Sequence, residues 1–115
     1  MKKYFSIFVF LLPVLVFSQI YTPVKWSFSQ KKMADNSYEL YFKATIEKGY
    51  HIYSQNLPGD VGPVPTLVSF TKNKDVELIG KTEEPKAHQE HDPNFDMMLS
   101  WFENEVTFTQ KVKVL

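Results

Sequence analysis

Apolar and polar residues alternate over several stretches of this chain, and the cleanest is Ser37–Ile46 (SYELYFKATI). Tyr38, Leu40, Phe42, Ala44 and Ile46 share one side, while Glu39, Tyr41, Lys43 and Thr45 share the other. A period of two is the mark of a strand with one buried face. Residues 21–30 repeat the pattern, with Val24, Trp26 and Phe28 set against Lys25, Ser27 and Ser29. The turn residues at 34–37 join these two runs into a predicted hairpin. Residues 106–115 alternate again, with Val106, Phe108, Val112 and Val114 facing inward and Gln110 interrupting the row. Shorter strands are predicted at 66–71 and 76–79, around a turn at Asn73-Lys74-Asp75. Residues 95–102 are apolar enough to pack but mixed in period, and Glu103-Asn104-Glu105 reads as a turn. No amphipathic helix of useful length appears. Short strands with turn signals between them predict an all-β domain, a sandwich or a barrel.

Residues 47–58 form the corner on which this pattern turns. The strand before it closes at Glu47-Lys48, the chain turns at Gly49, and a short aromatic strand follows over 50–53. Alternation puts Tyr50 and Ile52 on one face and His51 and Tyr53 on the other. Residues 55–65 (QNLPGDVGPVP) then hold three prolines and two glycines, which exclude regular structure. Asp60, between Gly59 and Val61, is expected to serve a turn there. Residues 81–93 are polar, charged and aperiodic, and are predicted as a second long loop.

The first 18 residues stand apart. Lys2-Lys3 precede an apolar run over 4–17, and Val16 and Ser18 suit cleavage after Ser18. The run falls short of the roughly 20 residues that span a bilayer, and Pro13 weakens it as a helix. Residues 1–18 therefore read as a cleaved signal peptide, leaving no membrane anchor and a domain of residues 19–115. Its loss leaves 11 lysines against 13 acidic residues, a balance of −2, and the chain has no arginine. That balance argues against a nucleic-acid partner, which calls for a basic stripe. There is no cysteine, although small exported domains often rely on disulfides.

Three pieces in order carry a resemblance to a known family. They are Trp26-Ser27-Phe28, the corner Gly49-Tyr50-His51-Ile52-Tyr53-Ser54-Gln55, and Asp92-Pro93-Asn94-Phe95-Asp96. From about Pro23 to Leu115 the chain resembles the N-terminal periplasmic domain of the thiol:disulfide interchange protein DsbD. The resemblance implies an immunoglobulin-like β-sandwich outside the cytoplasm, passing electrons to periplasmic thiol and disulfide proteins. It implies no cofactor. In the family a hairpin with two redox cysteines follows the last strand matched here. The pattern stops inside a strand at Leu115, so the sequence is expected to be truncated before that hairpin. Thiol–disulfide exchange proceeds by thiolate attack, which no other side chain replaces. The family is a protein-disulfide reductase, but this cysteine-free chain is expected to be inactive by itself, with no catalytic residue of its own.

The resemblance also implies a partner-facing frame. Phe95 matches the aromatic residue of a cap loop that shields the family's cysteines; the plainer reading is a loop-anchoring aromatic. Tyr53 matches an aromatic near the pair; the plainer reading is a sheet tyrosine with a surface hydroxyl. His51 stands where the family often has an aromatic ring. The alternative to an exchange domain is a non-catalytic β-sandwich binding module of the cell envelope. A weaker reading is a metal carrier using His51, His88 and His91, but His88 and His91 sit in a charged segment without a third ligand beside them, and no metal site is expected. Glu83-Glu84 and the Glu90/Asp92 pair lie too close in sequence to flank a substrate and are expected to be solvated surface.

Overall fold

The computed structural model describes residues 22–58 and 62–115. The proposed signal peptide and Asp60 lie outside the described residues. Seven strands run in the order β1 (Val24–Ala34), β2 (Ser37–Ile46), β3 (Ile52–Tyr53), β4 (Val76–Glu83), β5 (His88–Asp92), β6 (Met97–Phe102) and β7 (Glu105–Val114). They form two antiparallel sheets, β1-β2-β7-β4 and β3-β6-β5, packed as a β-sandwich. The division into four and three strands is that of an immunoglobulin-like domain. Here the place between β2 and β4 is filled by β7. No helix among the described residues is long and apolar enough to cross a membrane.

The β1–β2 hairpin forms at the predicted turn, where Asn36 takes a left-handed φ of 62°. Asparagine tolerates that region better than most residues. Its register sets Phe28 opposite Phe42 and Trp26 opposite Ala44. Across β2, Phe42 lies opposite Phe108 and Ala44 opposite Val106. This row is the inner face of the large sheet. Ala44, Ile46, Phe102, Val106 and Phe108 make the core, flanked by Val24, Phe42, Ile52, Val68 and Ala87. Phe102 brings in the second sheet, its ring 5.8 Å from that of Phe108 and edge-on to it.

Four expectations need correction. The first strand is longer than predicted, and its apolar side is not buried: Trp26 is 41% and Phe28 70% exposed. The core lies under β2 and β7, and β1 is an edge strand beyond it. The predicted strand at 66–71 has no ladder partner. The polar segment 81–93 contains β5, whose residues pair with β6 from His88↔Trp101 to Asp92↔Met97. An edge strand with no apolar side has no alternation to betray it.

Gln110 is the fourth. It is not a defect in the β7 row. The β4–β7 register shifts between Ile79 and Glu83, where Gly80 adopts a φ of 74°. That bulge leaves carbonyls without a ladder partner. The buried Gln110 side chain meets them, Nε2 donating to Gly80 O at 3.2 Å and to Lys111 O at 2.9 Å. Its Oε1 accepts from Thr82 Oγ1 at 2.8 Å.

Candidate functional site

The corner after β2 delivers two of the three residues singled out in the sequence to one place. Gly49 turns the chain with a φ of 91°, a region that favours glycine. Tyr50 N donates to Glu47 O at 3.0 Å, which closes the corner. β3 then pairs with β6, placing Tyr53 opposite Trp101 and Ile52 opposite Phe102. Ile52 takes the core side, and His51 and Tyr53 the other, as the alternation predicts.

On that outer face the rings converge on Trp101. His51 stacks on the indole at 5.0 Å with 28° between planes. Tyr53 meets it edge-on at 6.4 Å and also contacts His51 at 5.0 Å. His88, arriving from β5 on the far side of β6, lies 5.2 Å from the same ring. Trp101 Nε1 donates to Glu103 Oε2 at 3.0 Å, so the buried indole keeps its one donor satisfied. The indole is thus the floor of an aromatic patch whose exposed members are His51 and His88.

Phe95 lies elsewhere on the same sheet. It belongs to the four-residue turn between β5 and β6. Asp92 builds this turn: its Oδ1 accepts from Asn94 N at 2.7 Å and Phe95 N at 3.1 Å, and its carbonyl accepts from Asp96 N at 2.7 Å. Asp96 takes a φ of 54°, and its Oδ1 lies 3.0 Å from His91 Nε2. This scaffold holds Phe95 at 44% exposure at the tip of the hairpin. Four residue steps along β6 separate Met97, where the turn ends, from Trp101, roughly 13 Å of strand. Phe95 therefore makes no ring contact with His51 or Tyr53.

The histidines are dispersed. His88 and His91 are three apart on a strand, so they face opposite sides, and His88 Nε2 lies 3.2 Å from Glu90 Oε1. Among the described residues no three His, Cys, Asp or Glu side chains are grouped to hold a metal. Glu84, expected in a solvated surface, is instead an acceptor for the chain leaving β3. Ser54 Oγ donates to its Oε2, while Gln55 N and Nε2 donate to its Oε1 at 2.9 and 3.1 Å. Ser54 also anchors to β6 through its N–H, 2.9 Å from Ser100 O. The carboxylate thereby ties the segment after β4 to the exit of β3. Among the described residues no histidine hydrogen-bonds to Ser54 or Glu84.

Trp101 and the Glu84 tether escaped the sequence reading, and His88 was weighed there only as a metal ligand, not as a neighbour of an indole. The run Met97-Met98-Leu99-Ser100-Trp101-Phe102 did carry a signal: a short continuous apolar stretch fits a strand covered on both faces. Leu99, Trp101 and Phe102 are indeed all buried.

Residues 20–115 match the family model for the N-terminal region of the thiol:disulfide interchange protein DsbD. The chain belongs to this DsbD N-terminal domain family. Searches of curated proteins and of solved structures gave no significant match. Membership covers all seven strands and both parts of the site. It comes without cysteine, so the 115 residues hold no thiol to attack a disulfide.

Proposed function

We propose that this chain is an exported recognition domain of an extracytoplasmic thiol–disulfide interchange system, docking thiol or disulfide proteins without itself exchanging with them. The observation that carries this reading is family membership over residues 20–115 in a chain with no cysteine. Any exchange step in which the domain takes part uses sulfur from outside these residues. The docking surface is the small sheet: the His51–Tyr53 patch floored by Trp101, and the Phe95 turn at the end of the same hairpin. Phe95 contributes an exposed ring on a turn braced by Asp92, and such a rigid aromatic is suited to anchor a partner. His51 and Tyr53 contribute the second contact. Export rests on the 1–18 leader.

The test is binding to a purified extracytoplasmic thioredoxin-fold oxidoreductase, followed by NMR shift perturbation with the oxidised and reduced forms. Perturbations centred on Phe95, His51 and Tyr53, weakened by Phe95→Ala, support the reading. Binding that leaves these residues unmoved, or no binding to either redox form, sinks it. The other reading, an envelope binding module unrelated to thiol proteins, is favoured by the missing cysteines alone. It predicts indifference to the partner's redox state.

A further inference from the structure

We infer that His91 and Met98 form a binding site for a soft monovalent cation, Cu(I) or Ag(I), on the β5–β6 hairpin. The two residues are direct partners in the β5–β6 ladder. Directly opposed residues of an antiparallel pair project from the same face, with Cβ atoms about 4.5–5.5 Å apart. An imidazole nitrogen and a flexible thioether carried from there can close on one ion between them. Neither group is taken up by the core: the His91 side chain is 56% exposed and Met98 53%. The site is separate from the docking reading and does not rest on it.

Asp96 prepares the imidazole. Its Oδ1 lies 3.0 Å from His91 Nε2. A carboxylate can only accept, so it keeps the proton of the neutral ring on Nε2 and leaves the lone pair on Nδ1. Carboxylate–imidazole pairs of this kind orient histidine ligands of metals and raise their basicity. Asp96 is itself held in place. Its N–H donates to Asp92 O at 2.7 Å, and Asp92 Oδ1 braces the same turn through Asn94 N and Phe95 N. The carboxylate also sets a negative charge beside the cation, and residues 87–110 contain no lysine.

The donors select the ion. Zinc takes four nitrogen, sulfur or oxygen ligands, and among the described residues no such group of His, Cys, Asp and Glu is assembled. A thioether is a soft donor that suits Cu(I) and its congener Ag(I), ions satisfied by fewer ligands than zinc. With no cysteine in the chain, methionine sulfur is the softest donor present. His91 is the histidine that the fold sets against a thioether. His51 and His88 lie against the Trp101 ring instead. Met97, opposite Asp92, belongs to the other face of β6 and packs its sulfur against Gly62. Met33 sits at the end of β1, on the large sheet.

Titration with Ag(I) in chloride-free buffer, followed by NMR of the histidine rings and methionine methyl groups, tests this. The purified protein is expected to take up one Ag(I), moving the His91 ring and the Met98 methyl together and leaving Met33 in place. Met98→Leu keeps the bulk of an exposed side chain and removes the sulfur, and His91→Gln removes the imidazole. Each is expected to weaken binding by at least about tenfold, the scale on which even an outer-shell group counts at a metal site. Met33→Leu should bind as the wild type does, and amide shifts of β2 and β7 report that each variant is folded. Cu(I), added without oxygen against a competing chelator, should rank the variants in the same order, and Zn(II) should move neither residue. A protein that shows no saturable silver binding overturns the inference. So does binding that survives Met98→Leu, silver spread equally over Met33, Met97 and Met98, or zinc bound as well as silver.

Discussion

Strand β1 alternates more cleanly than β6, yet β6 is far better buried. β1 presents Val24, Trp26 and Phe28 in strict period, and only Val24 reaches the margin of the core. β6 has a muddled pattern, and Leu99, Trp101 and Phe102 are all buried. The difference lies in neighbours. β6 is the central strand of its sheet, with Phe102 on the core side and Trp101 covered by His51, Tyr53 and His88 on the other. β1 has a partner on one edge only, and Trp26 and Phe28 on its apolar side stay exposed. Alternation tells which residues share a face; it does not tell whether anything covers that face.

The largest test of this contrast is a pair of matched truncations. Trp101→Ala removes a buried indole and strands three ring partners, and should cost about 3–5 kcal/mol. Trp26→Ala removes the same side chain from a half-open site with one ring contact, 6.1 Å from Phe108. It should cost about 1–2 kcal/mol, a fraction of the full burial value. Urea unfolding of the two variants measures both. Equal losses would mean that β1 is covered in solution.

A second test concerns the polar group inside the large sheet. Gln110→Leu conserves bulk but leaves the Gly80 carbonyl and the Thr82 hydroxyl without their partner. The expected loss is about 2–3 kcal/mol, the cost of buried unsatisfied groups. A neutral or stabilising result would show that water reaches the bulge. Glu84→Ala should follow at about 1–2 kcal/mol, since it takes the acceptor from the buried Ser54 hydroxyl and from Gln55 N. Hydrogen exchange at Gln55 should rise in that variant while β2 and β7 amides keep their protection.

These cases mark how far the sequence could be read. The β1–β2 turn at Asn36, the turn at Asn104 that leads from β6 to β7, the Gly49 corner and the faces of β2 and β7 were legible because local chemistry decides them: asparagine at positive φ, and period two along one strand. The family was legible from three short pieces. β5 was not, because a polar edge strand is held by backbone pairing alone. Gln110 looked like an interruption because its purpose depends on a bulge thirty residues away in β4. The segment 66–71 was read correctly in period and wrongly as a sheet strand, since period reports burial of alternate residues and says nothing about a ladder. The site divides the same way. His51 and Tyr53 meet because they are two apart along the stretch that leads into β3. Trp101 and His88 join them only through the β3-β6-β5 order, which no local pattern encodes.

The smallest effect is expected at Phe28. Its ring is 70% exposed and touches Phe42 edge-on at 5.6 Å. Phe28→Ala should cost only about 0.5–1 kcal/mol, the worth of one aromatic pair. The same position on a covered strand would cost several times as much. The variant separates two accounts of the open face. If Phe28 is merely an exposed edge residue, the small loss in stability comes with no change in association. If the β1 face is where copies of the chain meet, Phe28→Ala should weaken that association. Sedimentation velocity of the wild type and Phe28→Ala side by side therefore decides whether the open β1 face is used, independently of how little Phe28 contributes to folding.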